Sequence, residues 1–156
     1  LPMQQNFKSL FPEMPGESRV WTYLCSRRLS NEESALIVDE IKKFTSAWKA
    51  HQKPLSAKGQ LLFNQYIVLV VDESIEPISG CSIDSSVHFI KAIEKHLAVD
   101  FFNRLNVLVL NGENPKLISY HDIDDFKGDF VFNPRIERLH ELRDKWLVEI
   151  QSPPYF

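Results

Sequence analysis

Cysteine is nearly absent. Cys25 and Cys81 are the only two in 156 residues, too few and too far apart for a disulfide framework or a CxxC metal pair. Glycine is almost as scarce: Gly16, Gly59, Gly80, Gly112 and Gly128 are the whole supply. None of them precedes the Lys-Ser or Lys-Thr that closes the phosphate-cradling loop GxxxxGK[ST]. Long apolar runs are missing too. The longest uninterrupted one, Ile67 to Val71, falls far short of the ~20 residues a membrane span requires. The N-terminus lacks the basic-then-apolar order of a secretory signal, so the cytoplasm is the expected location, and Leu1-Pro2 are set aside as residues before a start at Met3. Nor is there an excess of positive charge. A formal net charge of −3 with the signs interspersed leaves no electrostatic footprint for nucleic acid or an anionic membrane.

What is present suits a folded core. The composition is 44% hydrophobic and 12% aromatic; a chain of this length hides roughly 68–70% of the surface its unfolded form exposes, and one globular domain over 1–156 is expected. Residues 1–17 mix Phe7, Leu10 and Phe11 with Pro12 and Pro15, which predicts an irregular arm packing its aromatics on the body. Arg19 to Cys25 alternates as a strand. Ser30-Asn31-Glu32-Glu33 has the form of a capping box, and behind it Ile37, Ile41, Phe44 and Trp48 recur at helical spacing, giving a helix that ends near His51. Gln60 to Phe63 and Tyr66 to Val71 read as two strands joined around Asn64-Gln65. A second helix is expected from Ser85, with Phe89, Ile90, Ile93 and Leu97 on its apolar side. Leu105 to Leu110 and Lys116 to Tyr120 flank Asn111-Gly112 as a further hairpin.

The order strand, helix, strand, strand, helix, strand is that of a ferredoxin-like βαββαβ arrangement. The expected fold class is therefore α+β, an antiparallel sheet with both helices on one face. Residues 121–156 are expected to form a C-terminal extension packed as an appendage. Trp21, Ile37, Ile41, Phe44, Trp48, Val68, Val70, Ile90, Ile93 and Val107 are expected in one core between sheet and helices.

Two fragments stand out. Tyr66 to Glu73 runs YIVLVVDE, like a Walker B strand, and Ile78 to Ser82 reads ISGCS, like the signature sequence of ABC ATPases. Together SRVWTY, FNQYIVLVVDES, SGCSIDSSVHFIK and FVFN resemble, over nearly the whole chain, a small bacterial family whose members carry the name ABC transporter ATPase. The family lends no activity, substrate or catalytic residue to these positions. On the residues themselves, ATP hydrolysis is not expected. A Walker B Asp holds Mg²⁺ on a nucleotide whose phosphates sit in the glycine-rich loop, which is missing, and ISGCS follows the acidic pair where an ATPase signature would precede it. SGCSIDSS also resembles the SGGxDS loop of ATP pyrophosphatases, but is one residue too long and has Cys81 in place of the second glycine.

The stretch Ser79, Gly80, Cys81, Ser82, Asp84, Ser85 and Ser86 is the candidate ligand-binding site. Hydroxyls, a thiol and a glycine at a helix start, where unpaired amides and the dipole favour an anion, can cradle phosphate or carboxylate. The plainer alternative is that Asp84 or Ser85 caps the helix behind a loop of residues 80–86. Cys81 is the candidate catalytic residue, a nucleophile with His51 or His88 as base; a buried inert thiol is the alternative, and Cys25 reads as core. Asp72, Glu73 and Asp84 could supply oxygen ligands to a hard metal, or simply be solvated. His96, His121 and His140 show no ligand spacing, and Asp122, Asp124 and Asp125 lack the glycine and distal Glu of an EF-hand; neither metal nor cofactor is expected. The function read from these features is a non-catalytic module that binds a protein partner or a small anionic ligand. The alternative is a small enzyme, or an anion- or nucleotide-binding protein, working through SGCSIDSS.

Overall fold

The structure, a computed structural model, describes residues 7–156, so the part of the expected arm before Phe7 lies outside the described residues. The protein is α+β with antiparallel sheets. In the first, β5 (Tyr66–Asp72) runs between β1 (Arg19–Leu24) and β4 (Ser56–Leu62), with Thr22 and Gln60 both in register with Val68. The turn from β4 to β5 uses left-handed Phe63 and Asn64, the backbone of a tight hairpin.

Helix α1 (Asn31–Ala47) starts at the capping box read from sequence: the Ser30 hydroxyl accepts from the Glu33 amide at 3.1 Å and the Glu33 carboxylate from the Ser30 amide at 2.9 Å. It ends one turn before His51. The chain then makes a small hairpin, β2 (Lys49–Ala50) and β3 (Lys53–Pro54), around left-handed His51 and Gln52. Helix α2 (Gly80–Leu97) lies beside α1, and Phe44 and Phe89 stack between them with centroids 4.4 Å apart and planes 7° from parallel.

Every β5 residue from Tyr66 to Val71 is buried, because both faces of the strand are covered. Side chains alternate across a strand, so Ile67, Leu69 and Val71 meet Ile37, Ile41, Ile90 and Ile93 under the helices. Tyr66, Val68 and Val70 meet a second core on the opposite face, built from Phe7, Phe11 and Met14 of the N-terminal arm and Leu139, Leu142 and Trp146 from far along the chain. The expected single core is thus corrected. Val68 and Val70 point away from the helices, and Val107 belongs to a third cluster with Val109, Ile118, Val131 and Ile150.

The second sheet has the order β7-β6-β8-β9, from β6 (Asn106–Asn111), β7 (Asn114–Ser119), β8 (Phe130–Phe132) and β9 (Leu147–Glu149), with a 3₁₀ turn over Tyr120–Phe126 and α3 (Leu139–Lys145) between strands. Two expectations change. The chain runs strand, helix, four strands, helix, strand, because the short hairpin β2–β3 intervenes before β4, and β6 pairs with β7 and β8 and not with β1. Residues 121–156 are no appendage either, since they provide two strands of this sheet and the rings of Phe132 and Trp146, which pack on Phe7 and Tyr66 at 5.2–6.0 Å. The described part of the arm is irregular, and α3 holds it: the Arg143 guanidinium donates to the carbonyls of Leu10, Phe11 and Met14 at 2.8–3.1 Å.

Candidate functional site

The serine-rich stretch is helix, not loop. Ser79 caps α2, its hydroxyl accepting from the Ser82 amide at 3.1 Å, and Gly80 to Ser86 form the first two turns. Asp84 and Ser85 therefore lie inside the helix, and neither caps it. Ser82 and Ser86, four apart, turn into the core, 1% and 0% exposed. The Ser82 hydroxyl donates to the Lys49 carbonyl at 2.8 Å, and the Ser82 carbonyl accepts from Trp48 Nε1 at 2.9 Å. The Ser86 hydroxyl donates to the Ile83 carbonyl at 2.6 Å and lies against the Tyr23 hydroxyl, which burial pushes above the usual tyrosine range. The seven sequence candidates are thus divided between two faces. Ser79, Ser82 and Ser86 spend their hydroxyls on caps and backbone, while Gly80, Cys81, Asp84 and Ser85 are exposed. Cys81 is exposed rather than buried, and among the described residues its sulfur hydrogen-bonds to no acid, base or hydroxyl. Cys25 is fully buried, and burial raises its thiol.

The acidic pair is structural too. Asp72 ends β5 by accepting from the amide and hydroxyl of Ser74 at 3.0 and 2.7 Å. Glu73 faces Arg19 at 3.8 Å and Arg138 at 3.5 Å and accepts from the Ile78 amide at 3.3 Å. Among the described residues no three His, Cys, Asp or Glu side chains gather as a metal site would require.

A sizeable concavity lies elsewhere, where the two sheets fail to join. The chain around Glu137 and Arg138 bridges β1 at its start, through the Val20 amide to the Glu137 carbonyl at 2.9 Å and the Arg19–Arg138 pairing. Toward the other end of β1 the strands diverge and leave a cleft of about 610 Å³. Thr22, Tyr23 and Leu24 form one wall, and Asn106 and Val107 of β6 the other. β8 pairs β6 only at Val109 and Leu110, so among the described residues the early part of β6 keeps one edge free of strand pairing.

The rim is held in place by short-range polar contacts. The loop after α2 begins at Ala98, a left-handed C-cap. Its Phe101 amide donates to Glu94 at 2.7 Å, its Phe102 amide to Asp100 at 2.8 Å, and its Leu105 amide to Asn103 at 3.0 Å. Burial, reinforced by the neighbouring Asp100, pushes the Glu94 carboxyl above the usual range. Across the cleft the Arg135 amide donates to Asn133 at 2.8 Å. Arg104 and Arg135 line the cleft and are its only charged side chains among the described residues. Rings line it as well, with Tyr23 edge-on to Phe102 at 5.8 Å and Tyr120 beside Phe156 at 6.1 Å.

None of these cleft residues stood out in the sequence. Its two arginines are 31 positions apart (135 − 104), and each reads as an ordinary surface residue. The only available signal was the pair of Asx-turn residues, Asn103 and Asn133, each ahead of an arginine. Comparison with known proteins adds nothing further, because no protein-family model, curated protein or solved structure matches the chain.

Proposed function

We propose that the protein is a non-catalytic binding module and that it takes a small molecule into the cleft between its sheets. We read the scaffold as a ferredoxin-like arrangement in which β6 pairs within the second sheet and not with β1. The observation that carries the reading is the seam itself. A cavity of about 610 Å³ falls within the range of about 300–1,000 Å³ typical of small-molecule sites, which form between structural units and combine aromatic walls with a few polar groups. Strand edges without strand partners leave main-chain donors and acceptors at its walls. SGCSIDSS supports a binding or catalytic role less well, because its inward serines are already satisfied and its outward residues do not line the cleft.

The test is a fragment screen followed by amide chemical-shift mapping. A ligand present at 100 times its Kd adds about 2.7 kcal/mol of stability, enough to raise the melting temperature measurably. Hits should shift the amides of Thr22 to Leu24 and Asn103 to Val107. Hits that instead shift Gly80 to Ser86 would return the site to the start of α2.

A further inference from the structure

Taking the cleft as the binding site, we infer that its ligand is a small organic anion, a carboxylate, sulfonate or phosphate carried on a planar ring. Charge is the first argument. Arg104 and Arg135 line the cleft, and no Asp or Glu does, although the chain as a whole is acidic at −3. Four other arginines are engaged: Arg19 and Arg138 face Glu73, Arg27 grips Glu33 at 2.8 Å, and Arg143 holds carbonyls of the arm; Arg28, outside the cleft, has no such partner among the described residues. Among the described residues the guanidiniums of Arg104 and Arg135 have no hydrogen-bond acceptor and no ion pair. A planar guanidinium donates two parallel bonds to a carboxylate or phosphate, a geometry stronger and more selective than a neutral contact.

Preorganisation is the second argument. Asn103 precedes Arg104 and accepts from the Leu105 amide at 3.0 Å, while Asn133, two residues before Arg135, accepts from the Arg135 amide at 2.8 Å. Both arginines therefore extend from fixed turns, which lowers the ordering cost on binding. The third argument is the walls. Phe102, Tyr120 and Phe156 are at least partly exposed at the cleft and offer ring faces to a flat apolar body.

The experiment uses two fluorescent probes with one skeleton, 1-anilinonaphthalene-8-sulfonate and its uncharged counterpart N-phenyl-1-naphthylamine, titrated into the full chain. The sulfonate should bind on the order of tenfold more tightly. Arg104→Gln combined with Arg135→Gln should abolish that preference while leaving the neutral probe's Kd unchanged; an unaltered melting temperature would show the variant folded. Asn106→Trp, which fills the cleft, should weaken both probes. Equal binding of the two probes, lost in Asn106→Trp, would overturn the anion inference and leave the cleft reading standing. Binding insensitive to Asn106→Trp, or no binding of either probe, would remove the cleft as the site and the inference with it.

Discussion

The indole of Trp48 donates to the carbonyl of Ser82 at 2.9 Å, and Ser82 returns the contact through its hydroxyl to Lys49 at 2.8 Å. This exchange fastens the end of α1 to the first turn of α2. Ser82→Ala removes the hydroxyl and leaves the Lys49 carbonyl short of a partner, which should cost about 1–3 kcal/mol. Asp84→Ala, on the exposed side of the same turn, should stay within about 0.5 kcal/mol. Denaturant titration of both variants distinguishes the inner face from the outer. If Asp84→Ala proved the more damaging, the helix start would be wrongly placed.

Gly59 sits in β4 where a Cβ would come 2.5 Å from Ile41 Cγ2 and 3.0 Å from Leu69 Cδ2. Gly59→Ala should therefore destabilise by roughly 1–3 kcal/mol through overpacking. Ile41→Leu removes the Cγ2 branch, so the double variant should recover part of that loss. Thermal melts of the two singles and the double test the coupling.

Glu33 accepts from the Arg27 guanidinium and from the Ser30 amide, which together hold its carboxyl down from the usual 4.5 to about 2. A carboxyl depressed in the folded state stabilises at pH above its unfolded value, and that contribution fades as pH falls toward the folded one. The parent should melt above Glu33→Gln at neutral pH, and the difference should vanish as the pH drops from 4.5 toward 2. A gap that persists through this range would rule out the pairing.

Asp72 is occupied with Ser74, and Glu73 with Arg19 and Arg138. Incubation with Mg-ATP should release phosphate at the rate of a protein-free control, and Asp72→Asn should not change it. Turnover above the control that disappears in Asp72→Asn would assign the acidic pair to nucleotide after all.

Local signals in the sequence served well. The capping box at Ser30 and Glu33, the helical period from Ile37 to Phe44 and the turn around Asn64 all depend on neighbours within a few residues, and each reappears in the structure. The start of α2 was harder. Ser79, Ser82, Asp84 and Ser85 are all residue types that cap helices, and two inward-facing serines conceal the apolar period that Ile90 and Ile93 carry on. The hairpin of β6 with β7 around Asn111-Gly112 was legible, but the pairing of β6 with β8 was not, since it depends on Val109 and Leu110 meeting Val131 and Phe130 about 20 residues later, beyond the reach of any local pattern. The cleft follows from that pairing and was hidden with it.

The double-sided burial of β5 bears on how the chain is made. While a ribosome is still extending it, the helix-facing side of Tyr66–Asp72 can be covered early, because α1 and α2 lie within the first 97 residues. The reverse side must wait for Leu139, Leu142 and Trp146, and until they emerge it presents Tyr66, Val68 and Val70 bare. A nascent chain halted between α2 and α3 should be a target for chaperones that grip apolar strands, and the arm at Phe7, though it precedes them in the chain, has no completed surface to dock on until Arg143 arrives to hold it.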